Sequence, residues 1–448
     1  MTVAHPAPAV RRARVAVGAL FLTNGALLAN LLPRYPEVKE QLGMENSVYG
    51  LALAAFPAGA ILAGLAAGAL IRRLGSASVA ALGTVLTATG LLAAAWAPGA
   101  LWFALALLAA GALDALTDVA QNAHGLRVQR HLGRSVINSF HALWSLGAVT
   151  GGAMAAAAIA LEVPLRAHLL ASGLLFSAVA LLARRAALPG KDVDDVAGAA
   201  EGSAAQVAAD GTTGGAKAGA VADAGAGADA ETRPTGPTGS PESAAVAAGP
   251  RRGRTTAVLG ALVLIAIAGT LVEDAGNSWA TLYLARDLGA PATIAATGFI
   301  ALVGAQFVGR LLADPLVDRF GQRAVARSGG ALIALGMGLA LALPTVPGSI
   351  AGFALAGLGS ASLVPSAMAQ ADALPGLRPG TGLTVVSWLM RLGFLASPPL
   401  VGLVADVAGL RVGLLSVPLA GLAVVLLAGV LTGRRRAVQE ERELRPVG

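Results

Sequence analysis

The sequence predicts an all-α polytopic membrane protein of twelve transmembrane helices, arranged as two six-helix bundles. Three observations carry this. Apolar stretches of membrane-spanning length fill the chain from Val15 to Gly433. The composition, 56% apolar and 13% charged residues, cannot be accommodated on a water-facing surface. One long polar stretch divides the apolar segments into two sets of six.

A helix needs roughly 20 apolar residues to cross about 30 Å of hydrocarbon, and twelve segments meet that length. The first half places them at 14–33, 47–71, 77–96, 100–122, 138–160 and 165–183. The second half places them at 256–283, 292–313, 326–344, 349–372, 381–405 and 412–432. The basic run Arg11, Arg12 and Arg14 leads directly into the first segment with no small-residue cleavage site, so that span is expected to be retained. The domains are therefore an N-terminal bundle (1–185), a linker (186–254) and a C-terminal bundle (255–448). The linker is Ala, Gly, Asp, Thr and Pro in loose repetition with almost no large apolar residue to bury, which predicts a disordered tether. Basic pairs at its two ends, Arg184 with Arg185 and Arg251 with Arg252, suit an anionic membrane face.

Lys and Arg near span ends stay on the cytoplasmic side. With the N-terminus inside, only Arg34, Lys39, Arg166, Arg286 and Arg411 of the 32 basic residues fall outside, and Arg310 and Arg391 fall within spans. The expected placement is a plasma-membrane protein with both termini and the linker in the cytoplasm. Basic residues spread over successive loop edges form no separate basic domain, so nucleic acid is not an expected partner. The absence of cysteine excludes disulfides and thiolate metal sites.

Ionisable residues inside hydrocarbon each cost several kcal/mol unless paired or hydrated, so they mark candidate functional positions. Asp114 and Asp118 are four residues apart and share one face of the fourth span, continued by Gln121 or Asn122. Two such carboxylates could take up and release a proton; alternatively, Asp118, about one turn from the span end, is simply hydrated or caps a loop. Arg391 lies ten positions into a span beginning near Thr381, hence about 15 Å deep at about 1.5 Å per residue. Asp114 has a similar depth, which predicts an Asp114–Arg391 interaction acting as a gate, an anion anchor or a structural pair. Glu273, Asp274 and Asn277 near the outer end of the seventh span are either substrate contacts or an interfacial helix end, with Trp279 in the aromatic belt beside Trp96 and Trp102. His141 near the inner end of the fifth span either lines a cavity beside Trp144 or is a satisfied helix-start residue. Arg310 with Asp314 reads as support for the following loop, and Pro398 with Pro399 as a kink.

The loop after the second span reads Gly68-Ala-Leu-Ile-Arg72-Arg73-Leu-Gly75, and that after the eighth reads Leu316-Val-Asp318-Arg319-Phe-Gly321-Gln-Arg323. Both resemble the signature loop of the major facilitator superfamily, G-x-L-x-D-R-x-G-R-R, which occurs at these two places in its members. Asp118 to Gly125, followed by Asn138-Ser-Phe-His141-Ala-Leu-Trp144, resembles the branch that includes the fucose/proton symporter and bacterial relatives of unassigned substrate. The resemblance aligns that symporter's span-four acid and Asn with Asp118 and Asn122. Its first-span acid aligns near Ala29 beside Asn30, so one of the two key carboxylates is missing here. The resemblance implies gating loops at Arg72 and Arg73 and at Asp318, Arg319, Gly321 and Arg323. Because Arg72 stands where the first loop would carry Asp, a latch is expected through Asp318, reaching the start of the eleventh span near Thr381.

No phosphate-binding glycine loop with Lys and no metal-ligand cluster is present, and the five His are scattered, so neither an enzyme nor a cofactor or metal is expected. The expected function is secondary active transport of a small solute by alternating access, coupled to protons, by a monomer in the lipid bilayer. An exporter of drug-like metabolites by proton antiport is the alternative, and a membrane receptor that binds without transport is a third.

Overall fold

The computed structural model describes residues 8–64, 66–133, 136–189, 249–375, 377 and 381–431. Most of the expected tether lies outside the described residues, as do the side chains of Arg251, Arg252 and Asp314. Among the described residues, twelve helices are long and apolar enough to cross a membrane. Spans 1 to 6 are Pro8–Gln41, Asn46–Gly64, Ser76–Ala95, Ala100–Leu132, Ser139–Ala160 and Leu165–Ala186. Spans 7 to 12 are Arg254–Arg286, Ala292–Ala313, Gln322–Ala342, Val346–Asp372, Thr381–Ala408 and Leu410–Val430. An even number of crossings returns the chain to the face where it began. That end is called proximal here and the opposite end distal.

Helices are the only open-ended element that satisfies every backbone group in hydrocarbon, and small residues decide how closely they pack. A Cβ on Gly59 would fall on the Leu108 carbonyl oxygen, and one on Gly111 on that of Phe56, so spans 2 and 4 meet backbone to backbone. Gly25 against the Trp144 carbonyl and Gly147 against that of Leu22 do the same for spans 1 and 5.

The helix of span 4 continues to Leu132, about ten residues beyond its expected end. Hydropathy marks where the membrane stops, whereas the helix runs on because Arg127 and His124 are buried against the segment leaving span 6. Arg127 donates to the carbonyls of Leu188 (3.5 Å) and Pro189 (2.6 Å), and the Leu188 N–H donates to His124 Nε2 at 3.2 Å. Spans 10 and 11 are each broken near mid-depth. Val346–Ser360 gives way to Leu363–Asp372, and Thr381–Leu389 to Arg391–Ala408. At the second break the Met390 carbonyl accepts from Thr270 Oγ1 at 3.0 Å.

Three turns share one backbone conformation: Gly75, Gly321 and Gly409 have φ of 81°, 85° and 87°. Only Gly reaches this region without strain. The first two sit in the signature loops; the third, between spans 11 and 12, follows Asp406 and precedes Arg411 at the spacing by which Gly321 follows Asp318 and precedes Arg323. These arginines cap helix ends. Arg411 donates to the carbonyls of Leu341 (2.6 Å) and Ala342 (3.1 Å) at the end of span 9, and Arg323 donates to Leu431 at the end of span 12 (3.0 Å). Spans 3 and 6 are tied likewise, by Arg166 to the Ala95 carbonyl (3.3 Å) and Arg184 to Ser78 Oγ (3.2 Å).

A cation at a helix C-terminus satisfies orphan carbonyls and opposes the helix dipole. Arg411→Ala is therefore expected to remove about 1.5–3 kcal/mol, read as a fall in the thermal midpoint of the purified protein. Arg411→Lys is expected to recover only part of it, because an ammonium lacks the planar fork.

Candidate functional site

A cavity of about 290 Å³ lies between the bundles. Spans 1, 2, 4 and 5 wall one side of it, and spans 7, 8 and 11 the other. Most of the wall is apolar, with Leu28, Leu32, Leu53, Phe56, Ile61, Phe299, Val303 and Phe394 among its residues. The polar groups form two clusters, one on each bundle.

The N-terminal cluster is centred on Asn24, a buried amide at mid-depth in span 1. Its Nδ2 donates to Asp114 Oδ1 at 2.7 Å. Its Oδ1 accepts from Trp144 Nε1 at 2.9 Å and from Gln121 Nε2 at 3.3 Å. Gln121 Nε2 also reaches Asp118 Oδ1 at 3.3 Å, and Asn122 Nδ2 donates to the same oxygen at 3.0 Å. Asp114 and Asp118 thus belong to one hydrogen-bonded chain across spans 1, 4 and 5, and Asp114 faces the cavity. His141 is exposed, packs edge-on against Phe21 (ring centroids 5.2 Å apart) and lies in the field of Asp118 and Arg310.

The C-terminal cluster comprises Glu273, Asp274, Asn277 and Ser278 of span 7, Gln306 of span 8 and Arg391 of span 11, all on the cavity wall. Gln306 Nε2 donates to Glu273 Oε2 at 2.9 Å. Arg310 lies 3.6 Å from the same oxygen and donates to Ser145 Oγ of span 5 at 3.1 Å, which links the bundles on the proximal side of the cavity. Ser278 Oγ donates to Asp274 Oδ1 at 3.2 Å.

Three expectations are corrected. Asp114 and Arg391 share the cavity but form no ion pair: Asp114 is taken by Asn24, and the charge of Arg391 acts on Asp118 instead. Depth counted along a helix says nothing of which way a side chain faces. The Asp318 latch to Thr381 is not formed: Asp318 is exposed and makes no hydrogen bond or ion pair among the described residues. Of its neighbours, Arg319 lies over the Phe320 ring at 5.4 Å, Gly321 makes the turn, Arg323 caps span 12, and Arg72 and Arg73 are exposed. Trp279 is fully buried rather than in a belt, meeting Tyr49 edge-on at 5.0 Å. Trp96 and Trp102 are exposed, as belt residues are.

The distal end is sealed by groups that sequence reading passed over. Tyr49 OH donates to the Ser278 carbonyl at 2.7 Å. The Asp406 carboxylate, at the end of span 11, accepts from the backbone N–H groups of Asn46 (2.9 Å) and Ser47 (2.8 Å) at the start of span 2. Gly50 lies against the Pro398 carbonyl and Gly402 against that of Asn46, so the two backbones touch. Arg286 and Glu40 pair at 2.9 Å but are largely exposed, a situation worth about 0–1 kcal/mol. The signal for Asn24 and Gln306 was present: Gln306 is the single amide of its apolar span, and Asn24 is one of two, with Asn30, in the first apolar segment. Tyr49 and Asp406 carried no such mark, since an aromatic residue and an acid near span ends are ordinary.

Two family models match in succession: one described as Transmembrane secretion effector over residues 6–214, and one described as Major Facilitator Superfamily over residues 258–447. An uncharacterized transporter of Sinorhizobium fredii is 28% identical over 93% of this chain and 97% of its own length. The membrane protein MosC of Rhizobium meliloti is 36% identical over 38% of this chain and 42% of its own. Among solved structures, the D-xylose-proton symporter superposes with a TM-score of 0.65 at 16% identity, over 94% of this chain and 95% of that one. The nucleoside transporter NupG gives 0.64 at 13% identity, over 94% and 98%. With twelve spans in two bundles, a cavity between them and both halves matched, the chain belongs to the major facilitator superfamily of membrane transporters.

Proposed function

We propose that this protein is a proton-coupled secondary transporter of a small polar solute, with its proximal face in the cytoplasm, working by alternating access. The observation that carries the reading is the continuous hydrogen-bonded chain Asp118–Gln121–Asn24–Asp114, which reaches the cavity wall at Asn24 and Asp114. It joins two carboxylates through amide donors that can turn toward either the protein or a solute. In this reading Asp118 and Asp114 carry the proton, and Asn122 orients Asp118. Glu273, Asn277 and Arg391 meet the solute from the other bundle, and His141 borders the proximal approach. In this reading the distal seal closes the path to the outer face.

The apolar band around these clusters supports a second reading, export of a lipophilic metabolite by proton antiport, and the match to the secretion-effector model is in keeping with it. Thermal stability of the purified protein against sugars, organic anions and lipophilic cations, at pH 5.5 and pH 8, separates the two. A ligand at about a hundred times its dissociation constant stabilises by roughly 2.7 kcal/mol. Stabilisation by a polar solute that changes with pH and is lost in Asp118→Asn is the expected result. Stabilisation by lipophilic compounds alone, indifferent to Asp118, would replace the first reading with the second.

A further inference from the structure

The C-terminal cluster holds more oxygen than its donors can satisfy. Asp274 is 8% exposed, and its Oδ2 makes no hydrogen bond. The hydroxyl of Ser397, 1% exposed, lies beside the Asp274 carboxyl from span 11 and has no other partner. The Asn277 side-chain oxygen, one turn along from Asp274, is also buried without a partner. Span 11 adds backbone acceptors. Pro398 and Pro399 have no N–H, so the carbonyls of Phe394 and Leu395, four residues earlier, lose their helical donors, and Phe394 is on the cavity wall.

The nearby charges do not balance Asp274. Glu273 adds to the negative field, and its own counter-charge, Arg310, is engaged with it and with Ser145. Arg391 makes no ion pair among the described residues, and its field falls on Asp118. The other titratable groups close by, Tyr35 and Tyr49, are neutral phenols at neutral pH. A buried carboxylate served only by hydroxyl donors is costly unless a cation accompanies it.

We propose that Asp274, Asn277 and Ser397 form a binding site for a monovalent alkali cation of sodium size. Hard cations take oxygen ligands, and backbone carbonyls freed in broken or proline-bearing membrane helices are suited to them. A single carboxylate matches a single positive charge. Among the described residues no group of three His, Asp or Glu could hold a metal ion of the heavier kind. A proton on Asp274 occupies one of its oxygens, whereas a cation draws on the carboxylate, the Asn277 oxygen and the Ser397 hydroxyl oxygen together. The site is on the bundle opposite Asp118 and stands independently of the proton-coupling reading.

The test uses the full-length protein in detergent at pH 7. Its thermal midpoint is titrated with NaCl against choline chloride at constant ionic strength, with KCl in parallel. A saturable, sodium-dependent rise on the order of 3–5 °C is expected. Asp274→Asn and Ser397→Ala should each weaken the apparent sodium affinity at least tenfold, while Asp118→Asn should leave the sodium response intact. Should Asp274→Asn not fold, Ser397→Ala decides alone. Equal responses to sodium and choline in the unmodified protein would overturn the site, as would variants that keep the full sodium response. A midpoint that follows pH and ignores sodium would assign a proton to Asp274 and likewise overturn it.

Discussion

Gly111→Val is expected to yield no stable N-terminal bundle: little monodisperse protein in size-exclusion chromatography, and a thermal midpoint far below that of the parent. The added side chain would be driven into the Phe56 carbonyl, and the reciprocal contact of Gly59 with the Leu108 carbonyl prevents the helices from sliding to make room. Overpacking a tight core costs about 1–3 kcal/mol when side chains can adjust. Here the obstacle is backbone inside a helix, so the cost lies at or above that range. The separation of spans 2 and 4 would also move Asp114, one turn from Gly111, away from Asn24. Gly260 has open space where a Cβ would stand, so Gly260→Ala should leave expression and midpoint nearly unchanged. Equal behaviour of the two variants would show that close approach at Gly111 is unimportant.

Gly402→Leu is expected to hold the distal end open. Closure brings Gly402 onto the Asn46 carbonyl, and no larger residue fits there while Asp406 reaches the Asn46 and Ser47 N–H groups. Asp406→Ala should act in the same direction but less completely. It removes two charge-assisted hydrogen bonds at a helix N-terminus, together worth a few kcal/mol at most. About 1.4 kcal/mol already changes a conformational ratio tenfold. Arg286→Ala, which breaks an exposed pair, should change little. Because the chain has no cysteine, spin labels on Pro98→Cys and Pro344→Cys, in distal loops of the two bundles, report the separation directly. The distance distribution should lengthen most in Gly402→Leu, less in Asp406→Ala and least in Arg286→Ala. Parent-like distances in Gly402→Leu would show that these backbones are not the seal.

The twelve spans and their division into two sets were legible in the sequence, because length and hydropathy are properties of each segment alone. The break at Met390 was not, since it carries no proline and depends on what a neighbouring helix offers the freed backbone. The break near Ser362 had a local mark that went unused, Pro365, whose missing N–H leaves the Ala361 carbonyl without its helical donor. Asp114, Glu273, Asp274, Asn277 and Arg391, which stand out in the sequence as ionisable or amide residues in apolar runs, all line the cavity, because such a residue has few other places to go. Their partners were not legible. Asp114 binds Asn24 and Glu273 binds Gln306 and Arg310 through the rotational setting of several helices. That setting is decided by where glycines let backbones meet, such as Gly25 against Trp144, and no single segment records it.

The arginine caps tie span 3 to span 6 and span 9 to span 12 at both ends of each pair. Three of these four ties cover helix C-terminal carbonyls, so sliding or splaying either pair would uncover a helix terminus, and each pair is expected to move as a rigid keel for its own bundle. In a transport cycle, bending is then expected mainly in the broken spans 10 and 11 and the seams they share. Probes fixed to spans 3, 6, 9 and 12 would behave as fiducial marks, reporting the tilt of a whole bundle with no contribution from internal flexing. A rotation measured between the two keels would be the transport stroke itself.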